Sequence, residues 1–588
     1  MTGFTTRPVV QGRHGVVAAG HYLAAELGSR VLGEGGNAVD AGVAAVFALT
    51  LLKPQSAGIA GECPILIWRG GVEQSAGGGR LLPNPLAISG QGTAPRAATI
   101  DHFRRRGDST IPGEGLRAAT VPATVAACVT ALRTAGRLGL RETLGPVVDL
   151  AEEGFAVYPA LREQLAFHLD RYRGEWASTG EAYLDDGRVP EVGWRLRCRD
   201  WAAGMRGLLD AESRARSAGR DAGLAAALHV FYRGPIAQRI AAFAREGIVD
   251  SSGRREIGLL DRDDLAGYQA RVEAPATVRF RGLDVFKCGP WTQGPVLLQQ
   301  LRLLEGYDLA SLGHNTAEYL HLLVEAAKLA FADREAFYGD PIYASVPLER
   351  LLSAEYAAAR RALIDPFVAS GDLRFGEGGR LPDRGEETGA RLTGGDTTHV
   401  SVADAEGNLF SGTPSGGWLE SSPVVPGLGF PLGSRLQVFN LDPGHPNGLA
   451  PGKRPRTTLT PSLAGRGGRP HMAFGTPGGD RQDQWLLQFF LNVVEFGMDL
   501  QEAIDAPLVH SEHFPSSFSP HAAFPRRLLI EGRVPEQVRD ALAARGHDVQ
   551  AIGDWVSGEV CAVRFGPDSG LVEGAASPRA MAAYAVGR

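Results

Sequence analysis

Apolar and polar residues alternate most clearly in the stretch GGDTTHVSV, residues 394–402. Successive side chains of a strand face opposite directions, so the pattern predicts a strand with both valines inside and the histidine and serine outside. The continuation HVSVADAEGNLFSGT predicts a second strand after a turn at residues 405–408. Threonine is β-branched and favours strands, which by itself explains why Thr397 opens this one.

Two segments carry the residue spacing that is typical of helices. Residues 35–54 read GGNAVDAGVAAVFALTLLKP and predict a helix capped by its asparagine and by the aspartate three residues later, with the final proline as its stop. Small or apolar residues on nearly every face of this helix predict that it is buried. Residues 316–337 predict a second helix, with Asn315 and Glu318 as the capping pair.

Other segments indicate a mixture of helices and strands. Residues 200–270 have mostly helical, Ala-rich and Arg-rich patterns, whereas residues 64–68 and 277–286 read as strands. Near the end, EVCAVRFGPDSGLVEGA predicts a hairpin with its turn at residues 566–570. No internal repeat is evident.

A polar, glycine-rich segment at residues 374–395, RFGEGGRLPDRGEETGARLTGG, precedes the predicted strand pair. Its composition buries too little apolar surface to fold by itself, so we expect a flexible linker. Such a segment is typical of an ordinary surface loop. It is also what self-cleavage at the following strand requires, because the scissile bond must be reachable.

Composition and charge exclude several classes of protein. The 588 residues are 44% hydrophobic and 21% charged, with a net charge of -6 and both signs interspersed, so neither nucleic acid nor an anionic membrane is an expected partner. The five cysteines are far apart and lack metal-ligand spacing, which indicates neither a disulfide framework nor a zinc site. The first residues lack a signal-peptide pattern, and the apolar run at residues 41–52 is too short to span a bilayer. We therefore expect a cytoplasmic protein.

Thr397 could act as a nucleophile if the peptide bond after Asp396 is cut. It would then carry both its hydroxyl and a free α-amine, whose reference pKa of about 7.7–8.0 leaves a large neutral fraction near neutral pH. The amine could then activate the hydroxyl as its base, without any histidine or carboxylate. A Thr-Thr pair alone is common and says little.

The segment Gly475–Asp480, GTPGGD, lies between an apolar run and the helix-like stretch QWLLQFFLNVVEFGM. Adjacent glycines at such a junction allow the backbone N–H groups of Gly478 and Gly479 to point at one place, which suits an oxyanion. A simple tight turn is the alternative interpretation of these glycines.

Several motifs in order along the chain resemble the gamma-glutamyltransferase family of N-terminal-nucleophile hydrolases. They read GGNAVDAGVAAVFALTLLKPQSAGIAGE, FYRGPIAQRI, LLDRDDLAGYQARV, AKLAFADREAFYGDP, DTTHVSVADAEGN, PGKRPRTTLTPSL, GTPGGDRQDQW and GAASPR. The resemblance covers most of the chain, and the set is highly specific where each motif alone is weak.

The resemblance implies a role for each matching residue. Thr397 corresponds to the nucleophile, and the bond between Asp396 and Thr397 to the processing site, which gives a large fragment 1–396 and a small fragment 397–588. The other implied site residues are Thr398 as the second threonine of that motif, Ser415 as the hydroxyl that supports the nucleophile, Gly478 and Gly479 as the oxyanion hole, and Thr457 and Thr458 near the substrate carboxylate. The implied fold is an α/β four-layer α-β-β-α sandwich, whose two antiparallel sheets are shared by the two fragments of one heterodimer. Neither a metal nor an organic cofactor is expected.

The sequence departs from the family where a glutamyl group would be held. Gln91 falls where the family has the arginine for the substrate carboxylate, and Arg96 is offset from that position by five residues. Gln437 and Val438 fall where the acid for the substrate amine should be, and Gly417 replaces an asparagine. Loss of several charge-assisted hydrogen bonds disfavours glutathione as the substrate.

Together these features predict an autoprocessed, threonine-dependent acyl hydrolase that cleaves an amide or related carbonyl bond in a small molecule other than glutathione. One alternative is a true gamma-glutamyltransferase. A second comes from side branches of the family, which include acylases of β-lactam side chains, an oxamate amidohydrolase and hydrolases of carbon–carbon bonds in oxalyl or β-dicarbonyl intermediates. A third is an unprocessed binding or structural protein.

Overall fold

A computed structural model describes residues 4–71, 82–250, 253–382, 396–566, 569–579 and 581–588. The strands in this part of the chain are β1 (Val10–Gly12), β2 (Gly15–Ala19), β3 (Ile65–Trp68), β4 (Leu86–Ile88), β5 (Phe155–Ala156), β6 (Arg195–Leu196), β7 (Ile248–Val249), β8 (Arg255–Glu256), β9 (Val272–Glu273), β10 (Ala276–Phe280), β11 (Leu283–Lys287), β12 (Val400–Asp404), β13 (Leu409–Gly412), β14 (Ser462–Arg466), β15 (Arg469–Gly475), β16 (Val509–Ser511), β17 (Arg527–Glu531), β18 (Asp548–Ile552), β19 (Cys561–Phe565), β20 (Val572–Ala576) and β21 (Tyr584–Gly587).

The α-helices of the same residues are α1 (Tyr22–Gly33), α2 (Ala38–Leu52), α3 (Ile100–Arg105), α4 (Thr124–Ala135), α5 (Leu140–Thr143), α6 (Gly145–Glu153), α7 (Pro159–Phe167), α8 (Leu169–Arg173), α9 (Ala177–Tyr183), α10 (Arg199–Ala215), α11 (Arg220–Tyr232), α12 (Pro235–Glu246), α13 (Arg262–Gly267), α14 (Pro295–Leu304), α15 (Leu309–Leu312), α16 (Ala317–Phe337), α17 (Leu348–Leu351), α18 (Ala354–Arg361), α19 (Gln482–Val494), α20 (Leu500–Asp505) and α21 (Glu536–Ala544). Short 3₁₀ turns at Leu116–Ala118, Arg216–Ala218, Arg435–Val438 and Gly479–Arg481 complete the helical segments.

Two seven-stranded antiparallel sheets form the centre of the molecule. The first has the order β1-β20-β19-β15-β14-β11-β10, and the second has the order β21-β2-β12-β13-β3-β4-β9. Each sheet contains strands from before and after residue 397, so neither half of the chain could build its own sheet alone. The two predicted fragments are therefore interleaved in the core.

Apolar side chains fill the space between the two sheets, among them Val16 and Leu66 from one sheet and Leu463 and Val563 from the other. Helices α1, α2 and α4 cover the outer face of the second sheet. Helices α14 and α19 cover the outer face of the first, and α16 packs against α14. This arrangement confirms the predicted four-layer α-β-β-α sandwich.

Strand β12 does not follow the predicted pattern of buried apolar residues and exposed polar residues. Val400 and Val402 pack in the helix-side core, as predicted. Ser401 is also buried, and its hydroxyl donates to the carbonyl of Cys561 at 3.2 Å. The prediction that the polar residues face outward is wrong, because β12 is a central strand whose other face is covered by the first sheet.

The two predicted long helices form, but one cap differs from the prediction. In α2, Asn37 and Asp40 make the predicted capping box. In α16, the cap is Thr316, whose hydroxyl accepts from the backbone N–H of Tyr319 at 3.3 Å. Asn315 does not cap, because its backbone is in the left-handed region at φ 53° and its amide donates to the carbonyl of Pro507 at 3.1 Å.

The shorter predictions agree with the structure in part. Helices α10 to α13 lie in the region predicted to be helical, and β12–β13 and β19–β20 are the predicted hairpins. Residues 277–286 form two strands rather than one, because Arg281 and Gly282 take positive φ angles and make a turn. Most of the predicted linker, residues 383–395, lies outside the described residues, as do residues 567 and 568 of the last hairpin turn. Within the described part of the chain, no helix is long and apolar enough to cross a membrane.

Candidate active site

Thr397 lies just before β12, beside the segment that follows β13. Because the hairpin pairs these strands, Thr397 and Ser415 form an isolated antiparallel bridge beyond the end of the hairpin. Both residues are buried, and their hydroxyl oxygens are 3.1 Å apart. The structure thus brings the predicted nucleophile and the predicted supporting hydroxyl into hydrogen-bond contact.

The Ser415 hydroxyl is in contact with three polar groups. Its oxygen lies 2.9 Å from the carbonyl oxygen of Asp396 and 2.9 Å from Nη2 of Arg435. The guanidinium can only donate and the carbonyl can only accept, so the single serine proton is directed to Asp396. The remaining serine lone pair then accepts the hydroxyl proton of Thr397.

An ion pair between Arg435 and Glu62 fixes the position of Ser415. The Nε of Arg435 donates to the Glu62 carboxylate, and both side chains are buried. Burial raises the pKa of Glu62, and the charge of Arg435 opposes that rise in part. Glu62 also exchanges two backbone hydrogen bonds with Ser415, at 2.8 and 2.9 Å. Gly416 makes this approach possible, because a Cβ there would lie 2.5 Å from the carboxylate.

Polar groups surround Asp396 on both its side chain and its carbonyl. The carboxylate accepts from the backbone N–H of Thr397 at 2.8 Å and from the Ser56 hydroxyl. The carbonyl oxygen accepts from Nε1 of Trp418 at 2.6 Å, in addition to Ser415. Burial alone would lower the pKa of nearby Lys53, but the carboxylates of Glu559 and Asp396 raise it, so this buried lysine is charged.

Gly478 and Gly479 follow β15 in the positive-φ region, at 123° and 57°. Their backbone N–H groups find no acceptor among the described residues. A side chain at position 478 is excluded, because a Cβ would lie 2.2 Å from the ring of Trp485. The two glycines line the same cavity as Asp396, with a volume of about 280 Å³. The structure thus places two amide donors, which have no acceptor among the described residues, on a cavity that Asp396 also lines.

The predicted threonines, including Thr397, are buried, and none of them is a lining residue of this cavity. The Thr457 backbone pairs with the loop before α14, where its N–H donates to Trp291 at 3.0 Å and its carbonyl accepts from Gln293 at 2.8 Å. The hydroxyls of Thr398 and Thr458 have no hydrogen-bond partner in the part of the chain that the structure describes. Their predicted roles therefore remain predictions.

Gln91 is fully buried, and its Oε1 has no partner within the described ranges. Its amide donates to the adjacent Gly92 carbonyl, at 3.3 Å. Arg96 does not take the place of the missing arginine, because its exposed guanidinium pairs at the surface with Asp261 and with two further aspartates of α13.

The positions expected to hold a substrate amine carry no acid. Gln437 donates to the carbonyl of Gly113 at 3.0 Å and to the hydroxyl of Ser434 at 3.1 Å. Val438 packs with Trp418 and Phe518 in a small apolar cluster. An aromatic and aliphatic surface therefore lies where the family resemblance implied a carboxylate.

His399 lies two residues after the predicted nucleophile, and its ring is neutral. Burial and the nearby Lys287 lower the pKa of its ring to about 3. Both ring nitrogens are hydrogen-bonded, to the hydroxyl of Thr413 at 3.0 Å and to that of Ser401 at 2.9 Å. A neutral ring with both nitrogens in use is a structural group rather than a proton carrier.

One group of residues has the composition of a metal site, namely His321, Glu325 and His547. It lies on α16 and beside β18, among residues outside the cavity described above. The two rings bond each other at 2.9 Å, and the carboxylate is already paired with Lys328 at 2.6 Å and Arg374 at 3.0 Å. Two cations on one carboxylate oppose the binding of a third, so the geometry favours a hydrogen-bonded network.

Reasoning from the sequence missed Arg435, Glu62, Trp418 and Lys53. Glu62 ends the motif AGIAGE, and Arg435 lies in the segment LGSRLQVF, two residues before Gln437. A charged residue inside an otherwise apolar or glycine-rich segment is a signal for a buried ion pair. The role of Trp418 depends on a tertiary contact that no local pattern carries.

Comparisons with known proteins identify the family of this chain. The family model described as gamma-glutamyltranspeptidase matches residues 24–587. The Acylase ACY 1 proenzyme of Pseudomonas sp. (strain SE83) is 34% identical over 97% of this chain and 93% of its own length. The oxamate amidohydrolase proenzyme of Klebsiella pneumoniae is 31% identical over 97% of this chain and 98% of its own length.

Several solved structures are similar over the whole chain, among them the following two. One, titled as the structure of LmbA2991T421A, has a TM-score of 0.93 and 44% identity, and the match covers 100% of both chains. The crystal structure of the cephalosporin acylase from Bacillus halodurans has a TM-score of 0.82 and 29% identity, covering 100% of this chain and 98% of that one.

Proposed function

Because this chain belongs to the gamma-glutamyltranspeptidase family, we propose that it is an acyl hydrolase that cuts itself between Asp396 and Thr397 and then uses Thr397 as its nucleophile. The observation that carries the proposal is the contact of 3.1 Å between the hydroxyls of Thr397 and Ser415, next to the Asp396 carbonyl. Scission gives a large fragment 1–396 and a small fragment 397–588. The shared sheets hold the two fragments together as a heterodimer.

After scission, one residue supplies both nucleophile and base. The Thr397 amine takes the hydroxyl proton as Oγ1 attacks the substrate carbonyl. The free N–H groups of Gly478 and Gly479 then stabilise the oxyanion of the tetrahedral intermediate. The leaving group departs with the proton, and water hydrolyses the resulting acyl ester of Thr397. Hydrolysis rather than transfer is the simpler outcome, since no acceptor site is needed.

We propose a small-molecule substrate other than glutathione. Gln91, Gln437 and Val438 offer no charge of the kind that a glutamyl zwitterion requires at its two ends. Each charge-assisted hydrogen bond is worth roughly 1.5–3 kcal/mol, so the loss of several weakens binding by about a hundredfold or more. Similarity to an acylase and to an oxamate amidohydrolase favours an amide of another acyl group.

Cleavage of a carbon–carbon bond beside a carbonyl is the second candidate. An oxalyl or β-dicarbonyl substrate needs the same nucleophile and the same oxyanion donors. Arg435, which contacts Ser415, also has a buried Nη1 with no partner among the described residues, and a second substrate oxygen could accept from it. A true gamma-glutamyltransferase is the candidate that the uncharged residues disfavour.

Acyl-enzyme trapping tests the proposal. Purified enzyme is mixed with single donors, namely γ-glutamyl, glutaryl, oxalyl and phenylacetyl anilides, and quenched in acid within milliseconds. Intact-mass spectrometry of fragment 397–588 should show the mass of one non-glutamyl acyl group on Thr397, and Thr397→Ser serves as the matched control that keeps a hydroxyl. Efficient acylation by the γ-glutamyl donor alone would contradict the proposed substrate class.

A further inference from the structure

The carbonyl oxygen of Asp396 receives two hydrogen bonds inside the fold. Nε1 of Trp418 donates at 2.6 Å and the hydroxyl of Ser415 donates at 2.9 Å. Both donors are buried, where a hydrogen bond to developing charge is stronger than in water. This is the arrangement of an oxyanion hole, built around a peptide bond of the protein's own chain.

We propose that Trp418 is a catalytic residue of the self-cleavage reaction, in which its indole N–H and the Ser415 hydroxyl stabilise the oxyanion that forms on Asp396. The inference rests on the proposed self-cleavage, and it assigns to scission a set of donors distinct from the glycine pair proposed for turnover. Gly478 and Gly479 make no hydrogen bond to the Asp396 carbonyl in the described structure.

The chemistry balances without any added reagent except water. Thr397 Oγ1 bonds to the carbonyl carbon of Asp396 through a five-membered ring, and the carbonyl electron pair moves to oxygen. Negative charge develops on that oxygen while the Trp418 N–H and the Ser415 hydroxyl donate to it, and Ser415 then passes its own proton to the oxygen as it takes the proton of Thr397. Collapse breaks the carbon–nitrogen bond and returns the proton to the Thr397 nitrogen, which leaves an ester. Water hydrolyses the ester to the Asp396 carboxyl group and the free Thr397 hydroxyl.

Arg435 positions Ser415 for this exchange. Its Nη2 occupies one serine lone pair at 2.9 Å and keeps the serine proton directed at Asp396. The cation cannot rotate away, since Glu62 holds its Nε and the guanidinium lies 4.9 Å from the centre of the Trp418 ring. Arg435 is therefore a positioning residue for both donors.

The indole N–H of Trp418 has a second acceptor, which it can keep after scission removes the first. Nε1 also lies 2.9 Å from the carbonyl oxygen of Ser56. When the Asp396 carbonyl leaves, the indole N–H keeps this partner. The mature enzyme is therefore not left with an unpaired buried donor, which would cost about 1–3 kcal/mol.

Two substitutions of Trp418 test the proposal in full-length chains made by cell-free translation with a radiolabel. Trp418→Phe removes the N–H, and replacement by 3-benzothienylalanine keeps the shape of the indole while sulfur replaces the N–H. Removal of one oxyanion donor typically slows a reaction by about 100-fold to 1,000-fold, and we expect that slowing in the first-order conversion of precursor to two bands. Trp176→Phe is the matched control, because this buried tryptophan also donates to a backbone carbonyl, that of Val249 at 3.3 Å.

The outcomes distinguish failure of the role assigned to Trp418 from failure of the proposed self-cleavage. Slow scission in both Trp418 variants, with wild-type rates in Trp176→Phe, supports the inference. Scission of the benzothienylalanine variant within about threefold of wild type overturns it and leaves self-cleavage standing. A wild-type chain that never divides overturns both. If Trp418→Phe does not reach the folded state, judged by its thermal transition, the shape-matched variant decides alone.

Discussion

Two sides of the candidate site differ in how their polar groups are satisfied. The nucleophile side, defined as Thr397, Ser415, Arg435 and Glu62, is a chain of hydrogen bonds and one buried ion pair. The recognition side is our name for the positions that the family resemblance aligns with glutamyl contacts, namely Gln91, Gln437, Val438 and Gly417. These residues carry no charge, and Oε1 of both glutamines has no partner within the described residues. None of the four is a lining residue of the cavity beside Gly478 and Gly479. This difference indicates that the reaction can be kept while the acyl group that the site recognises changes.

The physical reason lies in what each side must do. A nucleophile and its supporting hydroxyl must be held within a few tenths of an ångström, which requires a dense network of hydrogen bonds. A different acyl group can be recognised once the charged contacts to the old one are removed. If those charged groups stayed, the new substrate would leave them buried without a partner, which would weaken its binding. The first side is constrained by chemistry and the second by the substrate.

Removal of the nucleophile should have the largest effect on this comparison. Thr397→Ala deletes the group needed both for scission and for turnover, so we expect a single full-length band and no product. Thr397→Ser, which keeps a hydroxyl, should still divide, more slowly. Gel electrophoresis and product release measure the two effects, and turnover by Thr397→Ala would disprove the assigned role.

Loss of the buried cation should have the next largest effect. Arg435→Met leaves Glu62 buried without its partner, which typically costs about 3–5 kcal/mol of unfolding free energy. Chemical denaturation of the uncut Thr397→Ala background measures this cost. Glu62→Gln combined with Arg435→Met should recover much of the loss because no unpaired charge remains. If the double variant is as unstable as Arg435→Met alone, the ion pair is not the cause.

Glutathione should bind poorly because of the recognition side. The missing charged contacts predict an affinity at least about a hundredfold below that of a site with both ends of the glutamyl group paired. Isothermal calorimetry with mature enzyme should give no measurable heat at micromolar glutathione. A micromolar dissociation constant would remove the distinction between the two sides.

The last prediction concerns pH, where the effect is smallest near neutrality, and it tests the structural role given to His399. Its pKa is lowered to about 3 in the fold, from an ordinary value near 6.5, so the unfolded chain binds the proton more readily as pH falls below 6.5. Stability should therefore decrease from pH 6.5 towards pH 3, by up to about 1.4 kcal/mol per pH unit for this one group.

His399→Gln keeps two hydrogen-bonding atoms but cannot take up a proton. Its thermal midpoint should fall less steeply with acid than that of the parent chain, although His21 and His547, whose pKa values are also lowered to about 3, keep part of the slope. Equal slopes in the two proteins would show that His399 is not held neutral by the fold.

Much of the fold could be predicted from the sequence because local patterns carried it. The capping box of α2 and the two hairpins around β12 and β19 depend on residues a few positions apart. The layer order came from the family resemblance. The burial of Ser401 and the cap at Thr316 were missed, since each is decided by packing against distant segments.

The candidate site divides in the same way. Thr397, Gly478 and Gly479 lie in motifs that can be recognised, and the structure brings Asp396 to the same cavity as the glycine pair. Arg435 and Trp418 reach the site from turns whose local sequences give no reason to join Ser415. Their contribution depends on tertiary contacts, which a single sequence does not encode in any short pattern.

The central claim is that this protein divides itself before Thr397, and the mass and N-terminal sequence of the purified, active enzyme test it most directly. The account predicts two fragments, 1–396 and 397–588, with threonine as the first residue of the smaller one. An undivided chain that turns over substrate, or a new terminus at any other residue, would contradict it.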